Sequence, residues 1–183
     1  MVPEKKKGLA CPMLGFLAVS FFLLMLILAV LDYPGWVLGE TLVTDVIDSD
    51  STYFMIGGAV GGLLLAFSAV GKSGKGRPGR IGEGLFIILT GIFIVWAAIF
   101  NVGDKIYEFS VLFAFIAFIL AMLSSLYDDF DQNRHMGFGS LTILILVAIF
   151  SMCVFMEPEV YQIGTLISGI IWILIRSVRE LYA

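Results

Sequence analysis

Gly71-Lys72-Ser73-Gly74-Lys75-Gly76-Arg77-Pro78-Gly79-Arg80 separates two apolar runs of membrane-spanning length. Its cations lie among glycines and a proline, a composition that builds no packed core. Loops of this kind stay on the cytoplasmic face of a membrane and so orient the segments on either side. Lys72, Lys75, Arg77 and Arg80 would also attract anionic lipid head groups, at about 1 kcal/mol per cation near the surface.

Hydrophobic residues make up 60% of the 183 and charged residues 14%, with a mean hydropathy of +1.01. That excludes an ordinary soluble domain, whose single core could not hide so much apolar surface. In lipid each backbone N–H and C=O must be satisfied within a helix or a closed barrel. Barrel strands alternate polar and apolar residues, whereas these runs are apolar on every face. The expected fold is therefore all-α, a single membrane domain over 1–183 with six transmembrane helices. The spans fall at about 9–31, 53–70, 84–100, 109–127, 138–156 and 160–175. Short links predict antiparallel neighbours in one bundle.

Between the first two spans, Leu38, Leu42 and Val46 recur every fourth residue, with Glu40, Asp45 and Asp48 between them. This pattern predicts a short amphipathic helix on the outer membrane surface. With both termini cytoplasmic, ten of the eleven Lys and Arg residues lie inside, Lys105 being the exception. Tyr33, Trp36, Tyr53, Tyr107 and Tyr161 then fall at the outer boundary, as an aromatic belt does. The chain reads as a multi-pass protein of the cell membrane. Cys11 and Cys153 fall on opposite sides, too far apart for a disulfide.

The second span carries Gly57, Gly58, Gly61 and Gly62, pairs four apart that predict a flat packing face on one side of the helix. Such a face lets another backbone approach closely in lipid. Ala66 to Ser73 has the outline of a phosphate-binding loop with alanine for its first glycine. That chemistry needs a strand leading into a loop and then a helix, and here a transmembrane helix precedes it. A topogenic basic loop explains the same residues and the extra cations.

Asp128-Asp129-Phe130-Asp131-Gln132-Asn133-Arg134-His135 reads as a solvated charged turn, with Asp128, Asp129, Asp131 and His135 as candidate metal ligands. Asp45, Asp48 and Asp50 form an outer acidic counterpart, without the glycine and final carboxylate of a helix–loop–helix calcium site. Neither cluster is more than a candidate, so no metal and no cofactor is assigned. The six apolar runs contain no Asp, Glu, Lys, Arg or His, and Arg176 at the end of the last one is expected to snorkel. Intramembrane ionisable groups mark proton relays and ion paths, so a proton-coupled pump loses its support. No catalytic residue is assigned, and hydroxyls in the spans are accounted for by packing and bonds to their own helices.

Asp32-Tyr33-Pro34-Gly35, the glycine-rich stretch from Tyr53 to Val70, Gly91 to Ser125, and the final span with Trp172, Arg176 and Leu181 are similar to a prokaryotic membrane family. That family is the domain-of-unknown-function group numbered 998. The resemblance implies a six-span fold, in a setting linked to lipid remodelling or lipid-kinase recruitment, and no established reaction. Tyr107 departs from the histidine expected to open the fourth span, and Tyr161-Gln162 from a Glu-Arg pair.

The leading functional expectation is a non-enzymatic membrane protein that binds lipids, a protein partner or a second copy of itself, and no nucleic acid. The alternatives are a lipid-modifying enzyme using interfacial carboxylates and a carrier of a small neutral solute. Lys75→Cys, in a Cys11→Ser/Cys153→Ser background, should resist a membrane-impermeant thiol reagent in intact cells and react after permeabilisation. Labelling from outside would invert the topology.

Overall fold

A computed structural model describes residues 10–37, 45–46, 52–73, 78–100, 104–132, 134–152 and 158–182. They form six helices: α1 (Ala10–Asp32), α2 (Thr52–Ser73), α3 (Pro78–Ile99), α4 (Lys105–Gln132), α5 (Arg134–Met152) and α6 (Pro158–Tyr182). All six are long and apolar enough to cross a membrane. Among the described residues there is no strand. The phosphate-loop outline at 66–73 is simply the last two turns of α2.

Local chemistry sets the helix ends. After α1, the Tyr33 N–H donates to the Val30 carbonyl at 3.3 Å, Pro34 stops the ladder, and Gly35 takes φ +83°. That left-handed conformation is open to glycine without strain. Prolines open α3 and α6, where a missing N–H costs nothing. Asp104 precedes α4, and its carbonyl accepts the first helical bond, from the Glu108 N–H at 3.1 Å.

Each helix packs on its neighbour in the chain, and α6 closes the ring against α1. Side chains on α6 are sorted inside out for lipid. Ile167, Ile171, Ile175 and Val178 are exposed, while Ser168, Trp172, Arg176 and Ser177 are buried. At the seam, a Cβ on Gly15 of α1 would lie 2.5 Å from the Ser177 hydroxyl.

Three helices exceed the apolar runs that mark them in the sequence. α3 begins at Pro78, α4 reaches from Lys105 to Gln132, and α6 continues to Tyr182. A hydropathy boundary stops at the first charge, but the hydrogen-bond ladder does not. Most of the expected outer amphipathic helix lies outside the described residues. Asp45 and Val46 are helical, and Val46 is fully buried.

The glycines of α2 serve two faces, not the single one expected. A Cβ on Gly57 would fall 2.6 Å from Met25 of α1, and one on Gly61 3.3 Å from Phe22. Gly58 and Gly62 turn the other way, to α3, where a Cβ would meet Ala98 at 2.8 Å and the Gly91 carbonyl at 2.7 Å. Adjacent helical residues lie about 100° apart, so paired glycines give each neighbouring helix its own groove. Where Gly62 and Gly91 meet, the α2 and α3 backbones touch with no side chain between them.

Gly62→Ala should therefore destabilise the bundle by about 1–3 kcal/mol, the usual effect of overpacking. Gly61→Ala, facing a side chain instead of a backbone carbonyl, should have less effect. Thermal unfolding in detergent micelles checks the order, and equal losses would remove the special role of the Gly62–Gly91 contact.

Candidate functional site

Glu83 of α3, Asp129 of α4 and Arg176 of α6 stand next to apolar runs in the sequence, and the ring buries all three together. They are 1%, 0% and 8% exposed. Arg176 donates from Nε to Glu83 Oε1 at 3.1 Å and from Nη2 to Glu83 Oε2, a two-pronged pairing. Its Nη1 donates to Asp129 Oδ1 at 2.7 Å. Arg179 of α6 pairs with the same Asp129 oxygen, and the Ser140 hydroxyl of α5 donates to Asp129 Oδ2 at 2.6 Å. Four helices are thus tied through two side chains, Arg176 and Asp129. Two-pronged, charge-assisted contacts of this kind are among the strongest hydrogen bonds available to a protein.

Arg176 is buried and does not snorkel, and residues 128–132 are the last turn of α4, not a solvated turn. Asp128, Asp129 and Asp131 belong to α4, and the connection to α5 is a single residue. Both Asp128 and Asp129 are buried, and Asp129 meets Arg176 and Arg179 of α6. Asp128 is 4% exposed, and its Oδ1 has no hydrogen-bond partner among the described residues. It lies against the first turn of α3, where a Cβ on Gly79 would come within 2.8 Å of it. The positive end of that helix dipole favours an anion.

Asp131 and His135 are exposed. Among the described residues no group of three His, Cys, Asp or Glu side chains converges where a metal ion could sit. Asp48 and Asp50 lie outside the described residues, and Asp45 is half-buried. Of the head-group candidates, Lys75 and Arg77 lie outside them too, Lys72 is in the last turn of α2, and Arg80 is exposed in the first turn of α3.

Beyond this brace, toward the opposite end of the ring, is a cavity of about 340 Å³ lined by α1, α2, α3, α4 and α6. Phe54, Ala98 and Tyr107 line it near that end, and Leu65, Thr90, Phe118 and Ile173 line it near mid-helix. Phe118 meets Trp172 edge-on at 5.3 Å, and the Arg176 guanidinium lies 5.7 Å from the Trp172 ring centre. This aromatic pair therefore separates apolar space from the charges. Among the described residues, Thr90, Tyr107 and Thr165 are the only polar ones in the lining. The sequence signal for the cavity is weak, because its walls are the same Ala, Gly, Leu, Ile and Phe that pack helices elsewhere. The signal for the brace is better: lone charges of opposite sign on three helices at one end of the bundle.

No protein-family model, curated protein or solved structure matches the chain.

Arg176→Gln leaves Glu83 buried without its cation and should destabilise the protein by about 3–5 kcal/mol, as breaking a buried pair does. Glu83→Gln/Arg176→Gln should lose less than the sum of the two single changes. A double-mutant cycle by unfolding in detergent checks this, and simple additivity would dissolve the pairing.

Proposed function

We propose that this protein binds lipid, holding an acyl chain inside its six-helix ring, and does no chemistry on it. The cavity carries this reading. A part-open apolar space of about 340 Å³ leaves its wall atoms without packing partners unless something apolar occupies it. Water is a poor filler, because a buried water needs two to four polar partners and the walls offer few. In a bilayer, the abundant material that matches an apolar lining at this depth is hydrocarbon. The same lining favours hydrocarbon over the small neutral solute of a carrier.

Glu83 and Asp129 argue for binding over catalysis, and Asp128, whose Oδ1 has no partner among the described residues, lies against Gly79 of α3 and not in the cavity lining. Both oxygens of Glu83 are held by Arg176, and both oxygens of Asp129 accept from Arg176, Arg179 and Ser140. An acid or base must have a lone pair or proton available to substrate. These are engaged in holding helices together. The excess of Lys and Arg supports placing the brace end at the cytoplasmic leaflet of the cell membrane, with the cavity toward the outer leaflet.

Trp172 provides the test, being 1% exposed while Trp96 is 50% exposed. In a Trp36→Phe/Trp96→Phe variant, Trp172 is the sole tryptophan emitter. Phospholipid vesicles with chains brominated at mid-length should quench it, and Ala114→Phe, which narrows the cavity, should weaken the quenching. Emission that ignores the brominated chains, or quenching unchanged by Ala114→Phe, would overturn the proposal.

A further inference from the structure

The cavity ends at the same depth on α2 and α4. Its lining residues recur every three or four positions from Phe54 to Leu65 on α2, and from Tyr107 to Phe118 on α4. Leu65 and Phe118 each lie thirteen residues past the first residue of their helices, Thr52 and Lys105. One turn nearer the brace, Ala69 and Met122 do not line the cavity. They are fully buried and belong, with Ile87 and Trp172, to the packed core. Phe118 completes this floor. Its ring crosses from α4 to α6, where a Cβ on Gly169 would lie 3.3 Å from it and Trp172 meets it edge-on at 5.3 Å.

The far end is different. Leu65 and Thr90, near the floor, are 6% and 4% exposed, whereas Val111, one turn from Tyr107, is 43% exposed. The space is therefore tight at mid-helix and open toward the helix ends away from the brace. From Tyr107 to Phe118 the lining runs about 16 Å, at about 1.5 Å per residue. One leaflet of a hydrocarbon core about 30 Å thick has nearly that depth. Near the floor the Thr90 hydroxyl already donates to the Phe86 carbonyl at 2.8 Å, so a polar head gains nothing there. A chain that enters does so with its methyl end toward Phe118.

Resting on the lipid-binding reading above, we infer that Phe118 determines which chains the cavity takes: acyl chains inserted tail-first and no longer, when extended, than about one leaflet is deep. Extended dodecanoate fits that depth, and extended stearate exceeds it. Surplus methylenes must buckle against Phe118, which overpacks the floor, or protrude past the helix ends toward water, which forfeits their burial.

The test uses the Trp36→Phe/Trp96→Phe protein in vesicles of unbrominated phospholipid, titrated with dodecanoate or stearate brominated on the terminal carbon. The same protein carrying Ala114→Phe gives the baseline from lipid outside the ring. Half-quenching of Trp172 should need about ten-fold less dodecanoate than stearate by membrane mole fraction, as an apolar pocket discriminates against methylenes that do not fit. Dodecanoate brominated beside its carboxyl should quench little, because that end stays far from Trp172. Phe118→Ala lowers the floor and should remove most of the length preference. Phe118→Leu, a milder change to the core, should reduce it in the same direction. Equal half-quenching by the two lengths, a preference that the folded Phe118 variants leave unchanged, or stronger quenching from bromine beside the carboxyl would overturn the role of Phe118 while leaving chain binding intact. Quenching by no acid would overturn it as well, and with brominated phospholipid also silent the lipid-binding reading falls with it.

Discussion

Arg176 is the cation on which the assembly of the ring depends. A guanidinium withdrawn from water needs acceptors on several sides, and the ring supplies them from Glu83 and Asp129 on two different helices. A buried ion pair seldom adds net stability compared with an apolar pair of the same size, but losing one partner is severe. What such a group provides is a condition on geometry. α3, α4 and α6 must reach the same depth and rotation at once, or a charge remains unmet in lipid. In a bundle where apolar faces slide over one another with little preference, that condition fixes register.

The two halves of the ring achieve close contact by different means. On one side α2 fits between α1 and α3 through glycines, so backbones approach and dispersion replaces the hydrophobic effect that lipid cannot supply. On the other, α4 and α6 are bridged by large side chains, with the Phe118 ring 3.3 Å from where a Cβ on Gly169 would stand. Tight packing on one side and side-chain spacing on the other leave room between them. The cavity is a product of that asymmetry, and none of the described residues of α5 lines it.

Six apolar spans and the packing role of the glycine pairs of α2 are legible in the sequence, because lipid imposes length and composition on anything that crosses it. The charged brace was not read as such. Hydropathy treats Glu83, Asp128, Asp129 and Arg176 as the ends of runs, and only the folded ring shows that helices from three parts of the chain bring those ends together. Gly58 and Gly62 were recognised as packing residues, yet their partner Gly91 was not, since a lone glycine in an apolar run has no distinctive spacing. Contacts between distant parts of the chain are what a linear pattern leaves out.

The seam between Gly15 and Ser177 joins the first helix to the last. Helices enter a membrane in the order of their synthesis, so α1 to α5 must wait as an open crescent until α6 arrives. Throughout that interval the future cavity lacks one wall and faces the surrounding bilayer directly. The cavity is therefore the last part of the ring to take shape, completed only when α6 docks against α1.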